Sequence, residues 1–224
     1  MSVFFELQLA IRAKRTCDVQ KSLPQLQALQ DPLDEFSTTV VVTSFKEAVN
    51  YHRQFRRVLK GKALTFLARG LKRDATAVEK YIKLVNLALR HLLEEQIIVL
   101  ESLTSNDPRI VIQKADCLRY LCESRDAANK SYEDALQATL ERPPTNSLVL
   151  TAELNYCLFL VDICRDFPAA LHRAQEALDK AESHLDSVEL DDYQSSAWLL
   201  QLIRENVAKW AATVTELRLP PHPT

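Results

Sequence analysis

The sequence predicts an all-α protein, and three observations carry that prediction. Glycine is nearly absent, with 2 in 224 residues, so tight hairpins and mobile phosphate loops, which need positive φ, have little to be built from. Apolar residues recur at spacings of three and four, the repeat of a helix with one buried face. Strand-like alternation is almost missing, and the Val40-Val41-Val42 run is too short to overrule the helical period around it.

The elements follow from where that period stops. Prolines punctuate the chain at Pro24, Pro32, Pro108, Pro143, Pro144 and Pro168, with Pro220, Pro221 and Pro223 at the end. None lies between Pro32 and Pro108, a stretch far longer than an ordinary helix of about 11–12 residues, so two long helices fill it with a junction near Gly70. Val41, Phe45, Ala48, His52, Phe55 and Leu59 mark the buried face of the first, interrupted only by the histidine. The second runs over about 72–100, with Val78, Ile82, Val85, Leu89, Leu92 and Leu93 inward. Shorter helices are expected near 108–124, 128–140, 148–164, 168–185 and 191–211. The hexapeptide from Ser131 to Leu136 recurs loosely from Asp166 to Leu171, 35 residues on, close to the period of tetratricopeptide-like helical pairs. Residues 1–212 read as one helical domain and 213–224 as a short, proline-rich, disordered tail.

Composition narrows the class. The chain carries 28 Lys/Arg against 30 Asp/Glu, is 47% apolar and 26% charged, and is therefore an ordinary globular protein rather than a disordered, collagenous or nucleic-acid-tail sequence. Gly61 and Gly70 cannot build a P-loop, a dinucleotide fingerprint or a nucleophile elbow. The five cysteines, Cys17, Cys117, Cys122, Cys157 and Cys164, lack C-x-x-C spacing and sit in apolar periodic segments, so buried thiols in a reducing compartment are expected. Glu6 interrupts what would be a signal core, and no stretch approaches the roughly 20 apolar residues of a membrane span. The expectation is a cytoplasmic protein with no membrane partner; nuclear residence stays open, because sequence does not separate the two.

Charge is unevenly placed. Residues 46–73 hold nine Lys/Arg and one acid, Glu47, leaving the remainder net −10 against a total of −2. Lys46, Arg53 and Arg57 are spaced i, i+7, i+11, which puts them on one helical face where they could converge on an anion. Taken alone, a solvated basic face explains them better. Asp116, Arg119, Tyr120 and Glu123 form a second polar stripe at i, i+3, i+4, i+7. Two flanking carboxylates can hold a guanidinium so that its fork meets phosphate oxygens, with the tyrosine hydroxyl adding a donor. The plainer alternative is a pair of weak surface ion pairs. Asn155 and Asn206 stand where the helical period asks for apolar side chains, either as satisfied core amides or as clamps for an extended peptide backbone.

Four segments carry a resemblance to a known family. They are Lys46 with Arg53, the run from Lys114 to Leu121, the run from Pro144 to Tyr156, and above all the run from Asp192 to Trp210. In this order they resemble the 14-3-3 proteins, dimeric adaptors that bind phosphoserine or phosphothreonine segments. The resemblance implies about nine antiparallel helices in a cup-shaped, tetratricopeptide-like bundle, no cofactor, no metal and no enzymatic activity. It assigns the phosphate to Lys46, Arg53, Arg119 and Tyr120 and the ligand backbone to Asn155 and Asn206. It places Leu154, Leu158, Leu199, Leu202 and Trp210 along an apolar groove wall, with Arg57 and Asp116 in support and Asp162 where the family has a glutamate.

Departures accompany it. Ile112 replaces a groove lysine and Arg56 replaces an aromatic residue. Arg15 and Asp18 match first-helix dimer charges, but their expected partners are Tyr81 and Ala77, leaving the pair to seek Arg73, Lys80 or Lys83 and leaving Leu9, Ala10 and Ala13 to make a chiefly apolar homo- or heterodimer interface. The rival reading is a tetratricopeptide-like scaffold for unphosphorylated peptide or protein. An enzyme is disfavoured because the five histidines form no metal spacing and no nucleophile has a visible activator. Nucleic acid is disfavoured because the basic block lacks interleaved stacking aromatics.

Overall fold

The structure, a computed structural model, describes residues 2–29, 32–103, 105–122, 124–184 and 192–217. Among these it contains no strand and nine α-helices: α1 (Val3–Arg12), α2 (Thr16–Gln27), α3 (Glu35–Ala68), α4 (Lys72–Ser102), α5 (Pro108–Leu121), α6 (Arg125–Gln137), α7 (Ser147–Phe159), α8 (Phe167–Glu182) and α9 (Tyr193–Glu216). A π-helical turn, Leu160–Cys164, extends α7. The chain divides into two compact units, residues 1–105 and 106–224.

In the first unit the two long helices stand where the proline gap placed them, joined at Gly70, whose φ of +75° is the left-handed conformation that ends α3. Phe45, Val41 and Ala48 of α3 and Leu92 and Leu93 of α4 are buried as the period demanded. His52 is half-buried, and its Nδ1 lies 2.9 Å from the Ala48 carbonyl one turn back. Asp34 caps α3 by accepting from the Ser37 N–H at 2.7 Å. The amino-terminal segment is two helices broken at Lys14, which adopts φ 54°. Arg15 therefore precedes α2 and Asp18 lies in its first turn.

In the second unit consecutive helices pack side by side from α5 to α9, with α7 also against α5 and α9. Asp107, Ser124, Asn146 and Asp166 cap α5, α6, α7 and α8. The Asp192 carboxylate, at the start of α9, accepts from the Ser147 N–H at 2.6 Å and so ties the beginnings of α7 and α9 together. By composition the stretch Ser147–Cys164 is apolar enough to cross a membrane, yet Leu150, Leu154, Cys157 and Phe159 are buried among neighbouring helices, so it is a core helix here. α9 continues through Glu216, four residues beyond the expected domain end, and Thr213 and Thr215 bond back to its carbonyls; residues 218–224 of the expected tail lie outside the described residues.

The cysteines divide. Cys117 and Cys157 are buried, and burial pushes the Cys157 thiol up to about 12. Cys17 and Cys122 are exposed, against the expectation of buried thiols, because one sits in the polar first turn of α2 and the other forms the left-handed C-cap of α5.

Candidate functional site

In the first unit α3 presents the basic residues away from its core stripe. Lys46 and Arg57 are exposed and Arg53 is half-buried. Arg56 reaches the Asn86 amide oxygen at 3.5 Å, and Phe55 meets Tyr81 edge to face at 6.1 Å.

In the second unit α5, α6, α7 and the π turn build an environment around Arg119, whose residue exposure is only 5%. Its Nη2 donates to Asp116 Oδ1 at 3.3 Å and to the Tyr120 hydroxyl at 3.0 Å. Its Nη1 lies 3.7 Å from Asp162 Oδ2, presented by the π turn. Glu123, the second carboxylate expected beside it, lies outside the described residues, and Asp162 takes that place. The Arg119 Nε carries a buried N–H with no hydrogen-bond partner. Burial alone would weaken the guanidinium's hold on its proton, but Asp116 and the tyrosine hydroxyls outweigh it, and Arg119 stays firmly charged.

Asp116 is the hub of this environment. Oδ1 also accepts from the Tyr132 hydroxyl at 2.7 Å and Oδ2 accepts from Asn155 Nδ2 at 3.0 Å. Tyr132 is fully buried, stacked on Tyr156 at 5.5 Å and tilted against Phe159 at 5.6 Å, so it cannot move without moving α6 against α7. Burial followed by the Asp116 charge raises the Tyr132 phenol well above its ordinary range, which keeps it a neutral donor. Outside Tyr156, Arg173 lies 4.5 Å over the ring while its Nε contacts Glu153 Oε2 at 2.7 Å. Burial raises the Glu153 pKa, with Arg173 offsetting part of that effect.

The other expected residues separate. Half-buried Asn155 belongs to the Asp116 network, whereas half-buried Asn206 donates to the Leu202 carbonyl of its own helix at 2.8 Å. Leu154, Leu199 and Trp210, expected on a groove wall, are core residues of the α7–α9 packing, with Trp210 only 2% exposed. Leu158 and Leu202 pack on that cluster and keep exposed surface. Ile112 does not face a groove: it is buried with Ala135 and Ala152, and a lysine there would put a charge into the core. Asp18 is paired by Arg15 at 2.7 Å and Lys21 at 3.0 Å, so it does not depend on Arg73, Lys80 or Lys83.

Two residues escaped the sequence reading. Tyr132 lies 16 residues beyond Asp116 on another helix, and no spacing rule connects them. Trp198 stands 64% exposed on α9, and its i, i+4, i+8 relation to Leu202 and Asn206 was the available signal.

Among the described residues nine α-helices fall into two compact units, one of them holding a charged and rigidly braced arginine, and together they make an all-helical scaffold. The sequence profile of the 14-3-3 protein family matches residues 6–211, and the chain belongs to the 14-3-3 family. It is similar to the checkpoint signal transducer rad25 of Schizosaccharomyces pombe, at 25% identity over 92% of this chain and 82% of that protein. It is also similar to 14-3-3 protein 9 of Solanum lycopersicum, at 24% identity over 93% and 87%, and to 14-3-3-like protein B of Vicia faba, at 25% over 93% and 87%. Family membership makes it an adaptor of the 14-3-3 type.

Proposed function

We propose that the chain binds phosphoserine- or phosphothreonine-bearing segments of client proteins and regulates those clients by occupancy, without covalent chemistry. Lys46, Arg53, Arg119 and Tyr120 grip the phosphate, Asn155 and Asn206 hold the ligand backbone, and Leu158 and Leu202 supply the exposed apolar contact. The observation that carries this reading is Arg119, kept charged and held by Asp116, Asp162 and the Tyr120 hydroxyl. A guanidinium fixed in this way offers phosphate oxygens charge-assisted hydrogen bonds without first having to be ordered.

The molecule works as a dimer through its amino-terminal helices, where Leu9 and Ala13 are exposed, and in a cytoplasmic or nuclear setting. Fluorescence anisotropy with matched peptides tests the function. The phosphorylated member of each pair binds at least about tenfold more tightly, a difference of about 1.4 kcal/mol. Equal affinities across several arginine-bearing motifs would favour the scaffold for unphosphorylated peptides.

A further inference from the structure

We propose that Arg173 and Tyr156 are positioning residues for the phosphate grip, acting on Arg119 through Tyr132 and Asp116 without touching the ligand. This role rests on the reading of Arg119 as a phosphate ligand, and every residue in it belongs to the second unit. A phosphate meets the Arg119 fork wherever Asp116 holds it, so the position of that carboxylate matters. Asp116 Oδ1 accepts from the Tyr132 hydroxyl at 2.7 Å and from Arg119 Nη2 at 3.3 Å. The shorter bond is the tighter constraint, and Arg119 takes up the geometry that Tyr132 leaves to it.

The Tyr132 hydroxyl shifts only if its ring slides or tilts, and that ring is fully buried against Tyr156, 5.5 Å away and within 11° of parallel. Tyr156 is itself held from two sides. Its hydroxyl donates to Asn129 Oδ1 at 2.7 Å, and Asn129 Nδ2 donates to Glu133 Oε1 at 2.8 Å, both on α6. From α8 the Arg173 guanidinium lies 4.5 Å over the ring, with its Nε 2.7 Å from Glu153 Oε2 of α7. The path from Arg173 to Arg119 is therefore continuous: cation on ring, ring on ring, hydroxyl to carboxylate, carboxylate to guanidinium. Stability alone gives little reason for the outer pair. The Arg173 and Glu153 side chains are both half-buried, and an ion pair drawn out of water rarely stabilises more than apolar side chains of the same volume. What an arginine supplies that an apolar residue does not is a planar cation that fixes the face of the ring beneath it.

Matched phosphorylated and unphosphorylated peptides, titrated against the full chain and its variants, test the proposal. Glu153→Gln/Arg173→Met removes both charges together, so neither is left buried alone, and the methionine keeps much of the stem's bulk. Tyr156→Leu removes the ring, and Tyr156→Phe keeps it while losing the bond to Asn129. The phosphate preference, the ratio of the two affinities, should fall about threefold to tenfold in the first two variants, with the unphosphorylated peptide bound as by the parent. Tyr156→Phe should keep the parent's ratio. The guanidinium NMR signals of Arg119, assigned by their loss in Arg119→Lys, should move in the first two variants and stay in the third. Where Tyr156→Leu does not melt cooperatively, the charge-pair variant decides. A lowered Tm with parent-like ratio and parent-like Arg119 signals means a structural role alone and overturns the proposal. A parent without phosphate preference overturns the proposed function instead, and unmoved Arg119 signals would then still overturn the positioning of Arg119 by Arg173.

Discussion

Asp116 spends both carboxylate oxygens inside the protein, on Arg119, Tyr132 and Asn155. Asp116→Asn leaves a buried guanidinium without its near counter-charge, and the expected cost is about 3–5 kcal/mol, read as a large fall in Tm; an unchanged Tm contradicts the hub. The two asparagines now part company. Asn155→Ala loses a bond to that hub and costs about 1 kcal/mol even without ligand. Asn206→Ala loses a bond within one exposed-edge turn, changes stability by under about 0.5 kcal/mol, and weakens peptide binding. Glu153 gives a pH signature. Its folded pKa is raised above the ordinary 4.5, first by burial, so the native state binds more protons than the unfolded chain between those two values. Its contribution to stability therefore falls as pH rises through that window. Glu153→Gln removes the fall, and urea unfolding at pH 4.5 and pH 7 should show the variant gaining on the parent at the higher pH. At this scale the sequence revealed the Asp116-Arg119-Tyr120 turn, because helical spacing brings those groups together. It could not reveal Tyr132, whose approach depends on how α6 packs on α5.

The long hairpin was legible because a proline-free stretch with two glycines leaves few other solutions. Gly70 and Gly61 make opposite predictions within it. Gly70 sits at φ +75° with open space around its Cα, so Gly70→Ala meets no clash but costs about 1–2 kcal/mol of backbone strain. Gly61 lies inside α3 with equally open space, and Gly61→Ala should stabilise by about 0.5–1 kcal/mol. Paired thermal melts check both signs. The break at Lys14 was not legible, since no glycine or proline marks it. Nor was the π turn at Leu160–Cys164, which sets Asp162 beside Arg119 by adding a residue that the 3.6-residue period does not anticipate. The apolar wall was half legible: the resemblance set Leu154, Leu199 and Trp210 along a groove, but these three are packed into the α7–α9 core.

At the scale of the whole molecule, Arg15 and Asp18 pair within the chain, and Tyr81 and Ala77 offer no charge to a partner. The dimer should therefore rest on apolar area and change little between about 0.1 and 0.5 M salt. Sedimentation at micromolar concentration checks this, and a clean monomer that still binds phosphopeptide would remove the dimer while leaving the adaptor. The proposed grip on phosphate draws charge from both Arg53 and Arg119. Its most direct measurement is the affinity of one phosphopeptide for the parent, Arg53→Glu, Arg119→Glu and the double variant, each checked by its melt. Each single variant should lose at least about tenfold, or 1.4 kcal/mol, and the double variant should bind the phosphorylated and unphosphorylated peptides alike. Parent-like affinity in a folded Arg119→Glu variant would contradict it.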